Sequence, residues 1–583
     1  MFSIKDHKTR PLFDPWQHLG ARRRQLLDQS WAGLFKLHIL PELPVSEIAR
    51  QFHAHMGRPS KELGTVLGTL LLQQYHDLTD EETVEQLAFN IQWHYALDIP
   101  EESDRLKYVC PKTLWTMRQR MIESNLDQQS LDKIVIKLAG LFDVDTRFQR
   151  IDSVHVQSNM RRLGRVTIFS QTIHKFLVNL CRQQRDLLQA VSAPIRKRYL
   201  KKAALGCFAQ VKPSQTAKTL ERVAGDLLNL VEQFKGHETV CAMHSYKLMQ
   251  RVLNEQCQLD DDGAKISVKS PKQIPSGSLQ NPSDPDATYS GHKGQGYQVQ
   301  LMETYLPCDD AQQKSQSLNL ITDVQVQKAC QSDTQALIPA IEAAERKDLA
   351  PKRVVADALY GSDDNYRQAK AHGVKLIAPV LGSERAKNLG LSDFVFANSG
   401  KTLSCPAGCA PQLTKRKKTR WMAGFNLDTC RQCPLAPNCP GQSGKAYRYL
   451  RYEEKAARIA RRRRKEQSVN FIEQYRWRAG IEGSISQYDR RTGVKHLRYR
   501  GYARVRFAAV LKAAGINILR ATAVLMARRA VKGSANADPI ALLSRLWSVK
   551  EQFTAHFNAA CRILRLRLAI ADGYDQTAAS MAA

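Results

Sequence analysis

Apolar residues recur at helical spacing through the first quarter of the chain. Trp16–Leu27, Leu63–Tyr75, Glu81–Leu97 and Thr113–Glu123 all keep that period. No proline interrupts the last two, and nothing alternates as a strand would, so residues 15–145 predict a helical bundle. Asp80 precedes the acidic run Glu81–Glu85 and is expected to cap one of these helices. After Phe148 the pattern changes. Phe148–Val156 is rich in β-formers around Asp152, and residues 165–258 then return to a helical, strongly basic pattern. The Ser-, Pro-, Gln- and Asn-rich stretch 267–290 reads as loop. Tyr297–Tyr305 alternates and Leu320–Val326 is a second short strand, so the two are expected to pair as an antiparallel hairpin. Thr334–Lys347 predicts a helix, and Arg353–Asp357 a strand ending in Asp357. Asp363–His372 predicts a helix closed by Gly373, and Lys375–Ala378 a last strand. Residues 382–465 read as basic, Cys-containing loop, and the pattern past Arg500 is helical to about Ala571.

With the insertions removed, the order is strand with Asp, strand, strand, helix, strand with Asp, helix, strand, then a helix carrying Glu482. Three strands followed by strand–helix alternation is the layout of a ribonuclease-H-like core. The expected fold is therefore α/β: a mixed-sheet core with a large helical insertion, helical N- and C-terminal regions and a small Cys-rich insertion. The corresponding segments are 1–145 for the N-terminal region and 146–382 for the first part of the core, its insertion spanning about 165–260. They continue with 383–465 (Cys-rich), 466–500 (last core helix) and 501–583 (C-terminal).

Charge narrows the function. Lys and Arg number 87 against 56 Asp and Glu, a formal +31. Such a surplus repels itself unless a polyanion screens it, and nucleic acid fits best. Leu63–Leu72 and Phe507–Leu525 look too short or too interrupted to span a bilayer, so no membrane partner is expected. Met1–Asp14 lacks a signal peptide's apolar centre, and the default compartment is a reducing cytosol.

Asp152, Asp357 and Glu482 are candidate ligands of Mg²⁺ or Mn²⁺, hard cations that suit carboxylates on rigid elements. Tyr475, Arg478 and Glu482 fall at i, i+3 and i+7, so one helix would present a ring, a guanidinium and a carboxylate on one face. Asp284, Asp286, Asp323 and Asp363 are rival acids, and Arg478–Glu482 read alone is an ordinary i,i+4 ion pair. Arg461–Lys465 precedes this helix. Arg490, Arg491, Arg498 and Arg500 follow it, interleaved with Tyr499 and Tyr502 in a pattern that suits phosphate contact and stacking.

Five of the 13 cysteines lie in one short stretch: Cys405, Cys409, Cys430, Cys433 and Cys439. Close pairs separated by a loop are the spacing of a four-thiolate zinc site, with one cysteine spare; unpaired reduced thiols are the alternative.

At Ile151–Val156, Gly291–Gly294, Ala356–Gly361 and the Tyr475–Glu482 string the chain resembles the DDE-type transposases of bacterial insertion sequences. The stretch from Gly57-Arg58-Pro59-Ser60 through Tyr95 resembles that family's N-terminal domain. The resemblance implies a ribonuclease-H-like fold, with Asp152, Asp357 and Glu482 on the metals and Tyr475 and Arg478 supporting the last carboxylate and contacting DNA. It further implies binding of the element's terminal repeats, cleavage to a 3′-OH and joining to target DNA in a bacterial, nucleoid-associated cytoplasm; handling both element ends in that chemistry calls for at least a dimer. A nuclease of the same fold that does not join, and a non-catalytic DNA-binding protein, are the alternatives. One departure stands out: the family's Lys or Arg seven positions after the Glu is here Asp489, with Arg490 and Arg491 next.

Overall fold

The computed structural model describes residues 2–9, 12–53, 55–56, 60–209, 211–259, 266–382 and 389–535. The expectations for residues 57–59 and for the helical pattern beyond residue 535 lie outside these. Two compact units are present. The first is Met1–Asp309 with Ser317–Ala521; the second includes Asp310–Gln316 and residues 522–535. In the second, Arg528 Nε donates to the Gln316 carbonyl at 2.8 Å.

The first unit is built on a mixed sheet. Its strands are β1 (Phe148–Gln157), β2 (Thr288–Ser290), β3 (Gly294–Thr304), β4 (Ile321–Lys328), β5 (Arg353–Val355) and β6 (Lys375–Ile377), in the order β2-β3-β1-β5-β6, with β4 also on β3. β3 runs antiparallel to β1 and to β4, as the expected hairpin requires, whereas β5 is parallel to β1 and β6 to β5. From Gly296 to Thr304 every β3 residue is buried, because strands flank it and helices cover its faces. Gly296 is needed where it is: its φ is +157° and a Cβ there would overlap the Val156 carbonyl.

Helices α1 (Leu63–His76), α2 (Asp80–Phe89) and α3 (Leu126–Phe142) belong to the N-terminal region. Asp80 is not the cap expected of it. Thr79 is, accepting from Glu82 N while the Glu82 carboxylate accepts from Thr79 N, and Asp80 opens the first turn. The insertion after β1 is helical as expected, with α4 (Arg165–Gln183), α5 (Thr216–Phe234) and α6 (His244–Gln256) packing a core of their own around Phe169, Phe176, Leu227 and Tyr246. Helices α7 (Leu337–Glu345) and α8 (Asp363–Ala371) cover one sheet face through Ala340, Ile341 and Ala369.

Residues 389–453 are not the loop expected of them. They form an antiparallel sheet of β7 (Leu413–Lys417), β8 (Arg420–Asn426), β9 (Gln442–Ser443) and β10 (Tyr447–Glu453) over Phe394, Phe425 and Leu450. The inward-facing set Trp421, Ala423 and Phe425 on β8 was masked by the Lys/Arg run that fills the β7–β8 hairpin.

The chain then runs through α9 (Glu454–Glu466), α10 (Val469–Tyr475), a 3-10 turn (Arg476–Ala479), α11 (Gly480–Thr492) and α12 (Tyr502–Ala535). Tyr475 and Glu482 thus sit on two helices separated by a turn, not on one continuous face. Among the described residues one helix, Tyr502–Val531, is long and apolar enough to cross a membrane. That corrects the expectation that this stretch is too interrupted; yet Phe507, Val510, Leu511 and Ile516 are fully buried in the protein, as in a core helix.

Candidate functional site

β1 and β5 bring the two aspartates together. Their parallel register ends at Arg150↔Val355. Two residues beyond that pair on each chain segment lie Asp152, in the middle of β1, and Asp357, just past the end of β5. Asp357 lies just past the end of its strand and caps the turn Ala358–Tyr360, accepting from Leu359 N at 2.8 Å. Asp152 Oδ1 accepts from Ser153 N at 2.8 Å.

Glu482 approaches from the other side of the crevice, held by a clamp beneath it. Arg150, two residues before Asp152 on the same face of β1, donates through Nη1 to the Trp477 carbonyl (2.9 Å) and pairs with buried Glu303 (2.7 Å). Glu303 Oε1 also accepts from Ser484 Oγ, and Oε2 from Arg520 Nη1, both at 2.8 Å. One carboxylate thereby ties β1, β3, α11 and α12 together. Gly480 opens α11 because a Cβ there would fall inside the Arg150 guanidinium.

Above the clamp, Arg478 joins two of the three candidates. Its Nη2 reaches Asp152 Oδ2 at 2.8 Å and its Nη1 reaches Glu482 Oε1 at 2.6 Å. The Arg478–Glu482 pair is therefore not the ordinary surface contact its spacing allows. The Glu482 side chain is 64% exposed. Tyr475 stacks on Phe471 (5.5 Å between centroids), and its pKa is raised by burial and by the charges of Asp357 and Asp152.

The electrostatics are those of buried acids crowded together, only partly offset by Arg478. Burial pushes the Asp152 pKa up; the Asp357 and Asp333 charges add to this, against Ser153 N and Arg478. Burial likewise raises Asp357, with Asp333 adding to it. Asp333 is the acid that sequence reasoning missed. It lies in the turn before α7, buried, where its Oδ1 accepts from Gln300 Nε2 at 2.6 Å. In sequence it looks like any acidic first-turn residue; only the pairing of Gln300 on β3 brings it here. Lys293, from the loop between β2 and β3, donates to Ser153 Oγ at 3.2 Å and adds a cation at the rim.

The rival acids have structural partners. Asp284 accepts from Ser158 Oγ (2.6 Å), Tyr297 OH (2.5 Å) and Gly501 N (3.0 Å), and Asp286 from Tyr502 N (2.9 Å). Lys347 lies 3.6 Å from Asp323, and Arg458 2.8 Å from Asp363. Asp489 also has a structural role, accepting from Lys495 N at 3.2 Å and closing the turn after α11. Arg490 and Arg491 are exposed, about 12 Å farther along α11 than Glu482. Arg498 pairs with Asp77, and Arg500 Nη1 approaches Met160 Sδ at 3.2 Å. These four are not brought to the carboxylates.

The five cysteines do gather. Cys405, Cys430, Cys433 and Cys439 line one cleft of about 30 Å³. Cys409 joins Cys405 through a tight turn in which Gly408 takes φ +83° and Cys405 N donates to the Cys409 carbonyl at 2.9 Å. Burial, then the neighbouring thiols, raise the Cys409 pKa.

In donor chemistry both clusters suit a cation: hard oxygens at the sheet end, soft thiols in the small module. In arrangement neither does. Among the described residues no three His, Cys, Asp or Glu side chains are set to hold a metal ion. At the carboxylates the reason is Arg478, whose guanidinium stands between Asp152 and Glu482. The expectation of a structural zinc site is not supported.

Two family models match the chain. Residues 404–522, which include the Cys-rich module and Glu482, match a Transposase DDE domain; residues 32–120 match a Transposase domain (DUF772). No curated protein and no solved structure matches. A DDE domain implies the ribonuclease-H-like fold, and apart from the extra strand β2 the order of strands and helices along the chain is the one expected from the sequence.

Proposed function

We propose that this chain, related through both matched segments to the DDE-type transposases of insertion sequences, binds the ends of a mobile element, cleaves the strand there and joins the freed 3′-OH to target DNA. The observation that carries this is the bridge of Arg478 between Asp152 and Glu482, beside Asp357 at the end of the sheet. An arginine fork placed among acids is an anion-binding group held in reserve. A phosphate entering the crevice competes with Asp152 and Glu482 for its two Nη atoms. Drawing Arg478 onto that phosphate releases both carboxylates, and Asp152, Asp357 and Glu482 are then the residues that would hold Mg²⁺ or Mn²⁺. When bound, such ions activate the attacking oxygen and stabilise the leaving one. Asp333, Gln300 and Tyr360 form the buried floor that keeps the aspartates in register. Handling two element ends calls for two copies of the chain.

The test is to incubate the full chain with its cognate element end and Mg²⁺. A nick at the element boundary is expected, followed by strand transfer from a pre-cut end bearing a 3′-OH. Cleavage without transfer would favour a nuclease; no cleavage in either metal would refute the reading.

A further inference from the structure

The helical insertion carries a second cleft, separate from the carboxylates. It measures about 970 Å³ and lies between α4, with the segment 160–164 before it, and residues 202–208, 211–216 and 282–283. Its lining includes Arg161, Arg162, Arg165, Lys175, Arg182 and Lys202 and, among the described residues, no Asp or Glu.

Two of these cations serve the fold. Arg165 Nε donates to Gln256 Oε1 at 2.9 Å, and Lys175 Nζ to the Pro282 carbonyl at 2.5 Å. Arg161, Arg162, Arg182 and Lys202 are exposed, and among the described residues no carboxylate pairs with them. Arg162 lies over the Tyr289 ring at 4.9 Å. Unpaired like charges around one concavity repel each other and cost stability unless an anion fills it. The floor is partly apolar, from Leu163, Val178 and Leu205. Its mouth joins the track of Arg498 and Arg500. Asn159 Nδ2 donates to the Arg498 carbonyl at 2.9 Å, and Arg500 reaches Met160, which lines the cleft. The segment between Asp152 and this cleft is the rest of β1, residues 153–157, with Ser158 and Asn159, since the lining begins at Met160.

We infer that this cleft holds a single DNA strand, its phosphates on Arg161, Arg182 and Lys202 and its bases against the apolar floor. A duplex, about 20 Å across with bases turned inward, would leave that floor uncovered; an unpaired strand covers it and neutralises the rim. The choice of DNA rests on the function proposed above; the choice of a strand rests on the cleft.

The test measures binding of a fluorescent single-stranded oligodeoxynucleotide to the full chain by anisotropy across a salt series without metal. Arg161→Ala/Arg182→Ala/Lys202→Ala is compared with Arg185→Ala/Arg222→Ala/Lys247→Ala, which removes the same charge from exposed sites of the insertion outside the cleft. Thermal melting checks that both fold. Losing three phosphate contacts should lower the log–log salt slope by about 2 and weaken binding at least about tenfold at low salt, with the control unchanged. Equal slopes in both variants overturn the inference while leaving end cleavage, and hence the proposed function, untouched. A wild-type chain that cleaves its element end yet binds no strand overturns it too. Tighter binding of RNA of the same sequence overturns the assignment to DNA. A wild-type chain that binds the strand through these residues but never cleaves an end refutes the proposed function alone.

Discussion

Replacing Glu303 with Gln tests how the candidate site is held. The change keeps shape and one acceptor but removes the charge that faces Arg150 and Arg520, whose side chains are almost as buried as the glutamate itself. Breaking a buried pair by neutralising one partner costs about 3–5 kcal/mol, because the remaining charge is stranded away from water. Here two guanidiniums are stranded, so the upper half of that range is expected. Against a total stability of about 5–15 kcal/mol this is roughly a quarter or more. At about 2–4 °C per kcal/mol the melting point should fall by roughly 8 °C or more. The pH dependence has a definite sign. Burial pushes the Glu303 pKa up, but Arg520 and Arg150 more than offset it and hold it below its usual value. A depressed carboxylate stabilises the folded state above its unfolded pKa, about 4.3, and that contribution is lost as pH falls through the lower folded value. The gap between wild type and Glu303→Gln should therefore be full at neutral pH and narrow below about pH 4.3. Thermal unfolding followed by circular dichroism across pH measures both. A melting point within about 1 °C of wild type at pH 7, or a gap that widens in acid, would refute the clamp.

Three further outcomes are expected. Asp357→Asn should lose end cleavage yet melt higher at pH 7: with its folded pKa raised by burial and by Asp333, the charged acid costs stability at neutral pH, a cost that disappears as pH falls through the raised value. A lower melting point would contradict this, and added Mg²⁺ should stabilise wild type more than the variant. Arg478→Ala should abolish cleavage while changing stability by no more than about 1 kcal/mol, since its pairs are partly solvated; Arg478→Lys should rescue little, because lysine lacks the fork that spans two acids. Gly480→Ala should cost about 1–3 kcal/mol by displacing the Arg150 guanidinium, measured by urea unfolding, and a neutral result would mean that α11 enters the site differently.

The core was legible because its signals are local. β1, β3 and β4 announce themselves by β-formers and alternation, the turns by Gly and Pro, Asp152 by its place within a strand and Asp357 by its place at the end of one. What was not legible depends on tertiary context. Thr79 rather than Asp80 caps α2 because the reciprocal Glu82 bond exists only once the helix forms. The β7–β10 sheet was hidden by its own cations, which fill the β7–β8 hairpin and leave only a small apolar cluster to mark it. The break at Arg476–Ala479 has no Pro or Gly before Gly480 to mark it, and is imposed by the Arg150 bond to the Trp477 carbonyl. Asp333 carries no local mark at all.

Asp152 and Glu482 are 330 positions apart, and the helix bearing Glu482 is joined to the sheet only after the β7–β10 module has been traversed. On a ribosome, the aspartates emerge long before the arginine that bridges them. A nascent or truncated chain thus has the first half of the crevice and none of the second. Assembly that waits for the helix bearing Glu482 acts as an interlock: the crevice is complete only in a chain that has already passed the β7–β10 module.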